Sequence, residues 1–276
     1  TKDFAAALTP IKDKILTDFA KSGIMNLISD LIKLKEQQVL KKTDGKKTAR
    51  VKDCPKLEDA NKAGTKDSAK CVLIITEGDS AKGLVMSGRM VTGVDYIGVY
   101  PIRGKFKNVR ESSTSDLLKN EEVIALKKII GLEHGKVYTD VSTLRYGKIV
   151  TMCDQDTDGI HIKGLLINFI HTFWPSLLEI PGFISALSTP IVKAIKGNNK
   201  EEFYNITEYE RWREQIDTSK WNIKYFKGLG TSDKNDAKEY FTDFHKKLIS
   251  YVSYDENNES ETNHVKPKYE EPCMEA

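Results

Sequence analysis

The stretch KIVTMCDQDTDGIHIKGLLINF, residues 148–169, joins an apolar run to three aspartates and then to a second apolar segment. The first run, KIVTMC, has the composition of a strand that is buried on both faces. The aspartates, Asp154, Asp156 and Asp158, occupy alternate positions. Residues 164–174 are mainly apolar and indicate a helix. A strand, a charged turn and a helix in this order predict an α/β fold with a site at the end of the strand.

Two earlier segments show the same organisation. CVLIIT (71–76) is a continuous apolar run that ends at EGDS, and a helical pattern follows through Met90. YIGVY (96–100) indicates another strand, and residues 114–130 have helical periodicity. Strands that alternate with helices predict a parallel sheet with helices on both faces.

The C-terminal half has shorter apolar runs. They predict strands within residues 188–195, 201–206 and 221–226. A helix is predicted over 207–216 with Thr207 as its N-cap, and Ser232 is predicted to cap a last helix.

The two ends of the chain differ in composition from this core. Residues 11–40 have helical periodicity interrupted at Gly23, which predicts two helices. Residues 41–70 contain ten Lys or Arg against five Asp or Glu, which predicts an extended or mobile connector that is solvated or touches a polyanion. We therefore predict N-terminal helices and a basic linker (1–70), an α/β domain with a C-terminal extension (71–250), and an acidic, disordered tail or truncated start of a next domain (251–276).

Composition excludes several classes of protein. No apolar run approaches the ~20 residues of a membrane helix, and the N-terminus lacks the pattern of a signal peptide. The four cysteines are too scattered for a zinc site and are expected to be reduced; they are Cys54, Cys71, Cys153 and Cys273.

The three aspartates are compatible with more than one kind of site. A calcium loop is excluded because its twelfth position, which requires a bidentate Glu, is Leu165 here. An aspartyl-phosphate phosphatase also places its first Asp after an apolar strand, and it stays open as an alternative although no Asp-Asp pair follows. An acidic surface turn is the ordinary alternative for any Asp- and Gly-rich segment.

A second acidic residue changes the balance between these alternatives. Glu77 ends the run 71–76, just as Asp154 ends the run 148–153. In an open α/β sheet such residues meet at the carboxyl ends of the strands. Four carboxylates in one place require cations, and Mg²⁺ suits hard oxygen ligands and phosphate. We therefore predict a site for two magnesium ions that acts on a phosphodiester.

Three basic segments accompany the acidic residues. PIRGKFKNVR (101–110) follows the strand at 96–100, IHIKG (160–164) follows the aspartates, and YFKGLGTS (225–232) contains flexible glycines. Each alone is an ordinary solvated turn, but together they suit a nucleic-acid backbone. A nucleic-acid-binding module without metal chemistry is therefore a further alternative. Tyr146, which precedes a buried strand, is interpreted as a packing residue rather than a nucleophile.

These residues resemble a known family. The segments EGDSA (77–81), PIRGK (101–105), LRYGKIV (144–150), DQDTDGIHIKGLLINF (154–169) and KGLGT (227–231) are similar in order and spacing to the TOPRIM region of eukaryotic-type (type IIA) DNA topoisomerase II. The resemblance covers residues from about 17 to about 250 and implies a TOPRIM, Rossmann-like parallel sheet flanked by helices. It also implies a role in cleaving and religating duplex DNA.

The resemblance assigns roles to individual residues. Glu77 is implied to bind metal and to act as general acid/base. Asp154, Asp156 and Asp158 are implied to form the site of two Mg²⁺ ions, for which Mn²⁺ or Ca²⁺ can substitute. The residues implied to contact DNA are Ser80, Lys82, Arg103, Gly104, Lys105, Asn108, His161, Lys163 and Lys227. The pocket for cleavage-trapping drugs is implied to involve Gly78, Asp79 and Arg103. The sequence departs from the family pattern at Ile102, Thr157 and Ile160, none of which supplies a carboxylate.

The resemblance also implies partners outside this sequence. In the family, the nucleophilic tyrosine lies in a C-terminal winged-helix domain and ATP binds to an N-terminal domain. We therefore expect the chain alone to bind Mg²⁺, and DNA weakly, but not to cleave. The family further implies a nuclear homodimeric enzyme that acts on duplex DNA and not at a membrane.

Overall fold

The computed structural model describes residues 14, 17–19, 21–48 and 51–251, and these fall into two compact units that divide between Thr43 and Asp44. In the first unit, helix α1 (Ile24–Leu40) begins directly after Gly23, which adopts a left-handed conformation with φ 73°. The predicted interruption at Gly23 is therefore confirmed. Of the predicted acidic tail, only Tyr251 lies within the described residues.

The second unit is built on a five-stranded sheet. Its strands are β1 (Val72–Glu77), β2 (Ile97–Ile102), β3 (Lys148–Met152), β4 (Ile184–Leu187) and β8 (Leu248–Ser250), in the order β2-β1-β3-β4-β8. All neighbours are parallel except β4 and β8, which pair antiparallel. The predicted parallel α/β sheet is confirmed, and β4 and β8 are additions that the sequence pattern did not indicate.

Helices cover both faces of this sheet. Helices α2 (Gly78–Thr92) and α7 (Lys234–Phe241) lie on one face, and α4 (Glu121–Ile130) and α5 (Thr157–Phe173) lie on the other. The short helix α3 (Thr114–Lys119) precedes α4, and α6 (Ile206–Gln215) belongs to the second sheet described below. Because side chains alternate along a strand, Ile74 packs in a cluster with Val85 of α2 and Phe241 of α7. Its neighbour Ile75 faces Leu126 and other residues of α4 and α5 on the opposite side.

A second sheet of three antiparallel strands lies in the C-terminal part. Its strands are β5 (Val192–Lys196), β6 (Asn199–Phe203) and β7 (Asn222–Tyr225), in the order β6-β5-β7. The aromatic rings of Phe203, Tyr209 and Trp212 pack together and attach α6 to this sheet. The three strands predicted in this region are therefore confirmed.

Two predicted helix caps are wrong by one or two residues. The side chain of Asn205, not Thr207, accepts the backbone N–H of Glu208 at the start of α6. Asp233, not Ser232, caps α7, because its carboxylate accepts the backbone N–H groups of Asn235 and Asp236. A carboxylate or amide in extended backbone is as good an N-cap as a hydroxyl, so neighbouring candidates cannot be separated by residue type.

Short 3₁₀ helices occur between these elements, at Lys41–Thr43, Ser68–Lys70, Val109–Glu111, Pro175–Leu177, Thr218–Lys220, Leu229–Thr231 and Phe244–Lys247. Part of the basic segment predicted as a connector is packed rather than extended. Ala60 and Ser68 are buried, and Glu58 forms an antiparallel bridge with Val99 at the sheet edge. No helix in the described part of the chain is long and apolar enough to cross a bilayer.

Candidate metal and nucleic-acid site

The sheet brings the two acidic segments to the same edge. Strands β1 and β3 are parallel neighbours, and Thr76 lies opposite Met152 in their register. Glu77 is the last residue of β1, and Asp154 follows the end of β3 by two residues. The backbone therefore places Glu77 beside the aspartate segment, as predicted.

Glu77 has an unusual environment for a carboxylate. Its Oε2 atom is buried and has no hydrogen-bond partner among the described residues. Burial raises the pKa of Glu77, and the negative charges of Asp154, Asp156 and Asp158 raise it further, while Lys105 acts in the opposite direction. A buried oxygen without a partner is costly for a folded chain, which makes Glu77 a candidate ligand for a cation.

Asp154 is held from the C-terminal part of the chain. Its Oδ1 atom accepts the backbone N–H of Leu229 at 2.7 Å. A Cβ atom on Gly228 would lie 2.2 Å from Oδ2 of Asp154, and one on Gly159 would lie 2.0 Å from its carbonyl oxygen. Two glycines are therefore required for the close approach of backbone to this residue.

Asp156 and Asp158 each have another partner. Asp156 is the N-cap of α5 and accepts the backbone N–H of Gly159 at 2.8 Å. Because this cap extends the helix toward the strand, α5 begins seven residues before the helical segment at 164 that the sequence indicated. Asp158 forms an ion pair of 2.9 Å with Lys105, and both side chains are exposed.

The four carboxylates do not form a ready ligand set in this structure. No group of three or more His, Cys, Asp or Glu side chains within the described ranges is arranged to hold a metal ion. Asp154 and Asp156 instead accept backbone N–H groups, and Asp158 pairs with a lysine. The four acidic residues therefore lie at the same edge of the sheet, as predicted, but their side chains do not point to a common centre.

The chemistry of the donor set nevertheless fits a hard divalent cation. All four candidate ligands are carboxylates, which suit Mg²⁺, Mn²⁺ or Ca²⁺ rather than soft metals. The neighbouring Cys153 is buried, and desolvation raises the pKa of its thiol to about 12. At neutral pH this thiol is protonated and is no thiolate ligand.

The predicted DNA-contacting residues fall into two groups. Six are exposed or lie on the surface turns: Ser80, Arg103, Gly104, Lys105, His161 and Lys227. The other three are engaged within the fold. Lys82 binds the carbonyl oxygen of Lys56 at 2.9 Å and Glu58 at 3.0 Å, Asn108 accepts the side-chain amide of Asn168, and Lys163 is 9% exposed.

A shallow cleft lies beside Asp154. It encloses about 250 Å³, including the space open to solvent, between Asp154, Phe226 and Tyr240. The three residues predicted for a drug pocket do not line it: Gly78 is half-buried, whereas Asp79 and Arg103 are exposed.

Tyr146, which was interpreted as a packing residue, lies in the core. Tyr146 is fully buried, and its hydroxyl accepts the backbone N–H of Ala60 at 3.0 Å and donates to Asp59. Arg145 also binds Asp59 and donates to the carbonyl oxygen of Ile129. A buried hydroxyl with two partners cannot reach a phosphate, so the packing interpretation is confirmed.

Two contacts at the site could not be found by sequence reasoning. The KGLG segment was recognised as a basic glycine turn, but its backbone contact with Asp154 joins residues 75 positions apart. Lys193 was not recognised at all, although it is buried and binds Asp236 and Glu239.

Comparisons with known proteins agree with this architecture. The family model of the Toprim domain matches residues 72–185, and that of the C-terminal associated domain of TOPRIM matches residues 187–270. The DNA topoisomerase 2 of Pisum sativum is 49% identical over 249 residues, which are 89% of this chain and 17% of that protein. The DNA topoisomerase 2 of Drosophila melanogaster is 50% identical over 256 residues, 91% of this chain and 18% of that protein.

A solved structure is also similar. The DNA-binding, cleavage and re-ligation domain of Plasmodium falciparum topoisomerase II superposes with a TM-score of 0.73 at 47% identity. The match covers 76% of this chain and 29% of that chain. The present chain therefore spans less than a fifth of the length of the two curated relatives and less than a third of the solved one.

Proposed function

We propose that the chain is a member of the Toprim family and that it forms the metal-binding part of the site at which a type II DNA topoisomerase cleaves and religates duplex DNA. The identity to enzymes named DNA topoisomerase 2 runs through both family regions. We propose residues 71–250 as the working unit, preceded by the helices and basic segment of 1–70 and followed by the acidic residues of 251–276.

One observation carries the proposal. The buried Oε2 atom of Glu77 has no hydrogen-bond partner among the described residues, and it lies at the sheet edge that also bears the three aspartates. Three negative charges near an unpaired carboxylate destabilise the fold, and a bound cation would reverse that effect. The Toprim family implies the use of a divalent metal, and the carboxylates here are the donors such an ion prefers.

We assign the finer roles as follows. Glu77, Asp154, Asp156 and Asp158 would hold two Mg²⁺ ions, for which Mn²⁺ or Ca²⁺ can substitute. Such ions, when bound, stabilise the charge on the attacking and leaving oxygens of a phosphodiester. Glu77 would hold and return the proton of the reacting hydroxyl, because its raised pKa brings it closer to neutral pH than an ordinary carboxylate.

The exposed basic residues would bind the DNA backbone. Arg103 and Lys105 lie on the turn after β2, Lys227 lies on the turn after β7, and His161 is exposed near the start of α5. Cations at these positions can bind phosphates on either side of the reacting one. Ser80 and Gly104 are small residues and would allow the DNA backbone to approach the protein closely. Lys82, Asn108 and Lys163 would contribute indirectly, since their side chains are engaged or buried. Gly78, Asp79 and Arg103 are proposed to border a site for cleavage-trapping drugs.

The remaining parts of the reaction are proposed to come from elsewhere. The nucleophilic tyrosine would be supplied by a winged-helix domain and ATP would be bound by another domain of a nuclear homodimer. This chain alone would bind metal, and DNA weakly, without cleaving it. The burial of Tyr146 supports this division, because that hydroxyl is not accessible to DNA.

A titration with Mn²⁺ or Mg²⁺, followed by calorimetry, tests the proposal. We expect binding by the unsubstituted chain, and binding at least roughly tenfold weaker after Glu77→Gln or Asp154→Asn, since a liganding oxygen is lost. Glu179→Gln is a matched control, because Glu179 is exposed and distant in sequence from the site. Unchanged binding by the double variant Glu77→Gln/Asp154→Asn would contradict the proposal.

A nucleic-acid-binding module without metal chemistry is the second candidate. It is favoured by the exposure of Arg103, Lys105 and Lys227 irrespective of any metal. Such a module binds DNA with a steep dependence on salt but without a response to EDTA. DNA binding that falls when EDTA removes the metal would decide against it. The similarity to DNA topoisomerase 2 favours both candidates over the phosphatase alternative.

A further inference from the structure

The KGLG segment (227–230) reaches across the fold to the acidic edge. It follows β7 and lies in the region matched by the C-terminal associated domain, whereas Asp154 lies in the region matched by the Toprim domain. The backbone N–H of Leu229 donates to Oδ1 of Asp154 at 2.7 Å. A candidate metal ligand of one region is therefore oriented by the backbone of the other.

Gly228 makes this contact sterically possible. Its φ of 177° is extended backbone that any residue adopts, so the glycine is not needed for backbone freedom. A Cβ atom at this position would lie 2.2 Å from Oδ2 and 2.7 Å from Cγ of Asp154. Gly230, two residues later, differs in this respect, because a Cβ atom there meets nothing within 4 Å.

The turn itself is firmly held. The side chain of Leu229 is 5% exposed and belongs to the core cluster that contains Tyr240 and Phe241. The hydroxyl of Thr231 donates to the carbonyl oxygen of Gly228 at 2.7 Å, and Ser232 and Tyr240 are joined through their hydroxyls at 3.0 Å. The N–H of Leu229 is thus presented to Asp154 by a packed element and not by a freely moving loop.

From this geometry we infer that Gly228 and Leu229 are positioning residues, which fix the orientation of the Asp154 carboxylate for cation binding. The inference rests on the proposed function, since it assumes that Asp154 is a metal ligand. Hydrogen bonds to ligating carboxylates orient them, and removal of such a bond weakens metal affinity by roughly 10–100-fold. The C-terminal associated domain would therefore contribute to the metal site without supplying a ligand.

Electron paramagnetic resonance of Mn²⁺ added to the full chain tests the inference. The signal of free Mn²⁺ gives the affinity, and the line shape of the bound ion reports its ligand geometry. We expect Gly228→Ala to weaken Mn²⁺ binding by roughly tenfold or more and to change the bound line shape, because the new methyl group displaces the carboxylate. Gly230→Ala is the matched control and should bind Mn²⁺ as the unsubstituted chain does.

A second variant removes the N–H donor without adding a methyl group. Replacement of Leu229 by its α-hydroxy acid converts the donor N–H into an ester oxygen and leaves the side chain unchanged. This variant should also weaken Mn²⁺ binding. Near-ultraviolet circular dichroism shows whether Gly228→Ala folds, and if it does not, the ester variant alone tests the positioning role.

The outcomes separate this inference from the proposed function. Mn²⁺ affinity and line shape equal to those of the unsubstituted chain, in a folded Gly228→Ala protein or in the ester variant, overturn the inference alone. If the unsubstituted chain binds no Mn²⁺, the proposed function fails and the inference fails with it. A loss of affinity in Gly230→Ala as large as that in Gly228→Ala would also overturn it, since the effect would not depend on contact with Asp154.

Discussion

Lys105 Nζ lies 2.9 Å from Asp158 Oδ1, so that the basic turn after β2 contacts the first turn of α5. Both side chains are more than half exposed, at 55% and 59%. Exposed pairs of this kind contribute about 0–1 kcal/mol to stability. The pair therefore contributes little to the stability of the fold. Lys105 remains available to a phosphate, and Asp158 remains available to a metal ion.

The first prediction concerns this lysine. Lys105→Gln should change the free energy of unfolding by less than about 0.5 kcal/mol. It should nevertheless weaken binding of a labelled DNA duplex and lower the slope of log K against log [salt] by about one, because one phosphate contact is lost. Fluorescence anisotropy at several salt concentrations measures both quantities. Lys119→Gln, at an exposed lysine at the end of α3, should leave the slope unchanged, and an equal slope for both variants would refute the DNA contact.

The second prediction concerns the buried Lys193. Its ammonium lies 2.9 Å from Asp236, 2.6 Å from Glu239 and 3.7 Å from Glu202, and its side chain is 2% exposed. Lys193→Met should lower the free energy of unfolding by about 1–3 kcal/mol, because the buried Asp236 loses one of its two lysine partners and keeps only Lys224. Urea denaturation measures the loss. Lys196→Met, at an exposed lysine on the same strand, should cost less than about 0.5 kcal/mol, and a similar small cost at Lys193 would show that the network is dispensable.

The third prediction concerns acid stability. Burial tends to raise the pKa of Asp236, but hydrogen bonds from Lys193 and Lys224 outweigh it and lower the pKa to about 2. A carboxylate whose folded pKa lies below its unfolded value stabilises the fold above the unfolded value, and this stability is lost as the pH falls. The chain should therefore lose stability between about pH 4 and about pH 2, as thermal denaturation at each pH would measure. Asp236→Asn should show a smaller loss over the same interval, and an equal loss would assign the acid sensitivity to other groups.

The parts of the fold that the sequence revealed are those with strong local patterns. The runs ending at Glu77 and Asp154 are buried on both faces, so their composition alone indicated strands and the carboxyl-end rule brought the two acids to one edge. Strands β4 and β8 were missed, because both are short, at four and three residues, and their pairing joins segments far apart in sequence.

The side-chain details of the site depended on tertiary contacts. No local pattern indicates that the N–H of Leu229 meets Asp154, or that Lys163 is buried. The family resemblance implied a DNA contact for Lys82, and no local pattern indicated its ion pair with Glu58. Residue type and spacing identified the acidic edge, whereas the partner of each charge was fixed by packing.

The fourth prediction tests the structural role of Tyr146. Its hydroxyl accepts the N–H of the buried Ala60 and donates to Asp59, which also pairs with Arg145. Tyr146→Phe should lower the free energy of unfolding by about 1–3 kcal/mol, because a buried N–H loses its acceptor, without changing Mn²⁺ affinity. Tyr96→Phe serves as the control, since that ring is 36% exposed, and calorimetric unfolding of both variants gives the comparison. An unchanged stability would mean that water replaces the hydroxyl.

The last prediction uses the raised pKa of Glu77. Burial and the three aspartates hold this pKa above its usual value of 4.5, so the folded chain binds a proton there more tightly than the unfolded chain does. In the metal-free protein, protonated Glu77 should therefore contribute stability that is fully present below pH 4.5 and is lost as the pH rises from 4.5 through the folded pKa.

Glu77→Gln removes that charge, so at pH 7 and without metal the variant should be more stable than the unsubstituted chain, with a difference that shrinks toward pH 4. Saturating Mn²⁺ should reverse the order, because a ligand that binds only the folded state stabilises the chain that binds it better. Thermal denaturation with EDTA and with Mn²⁺ measures both signs. A residue with a purely structural role would give the same sign in both conditions, and that result would remove Glu77 from the metal site.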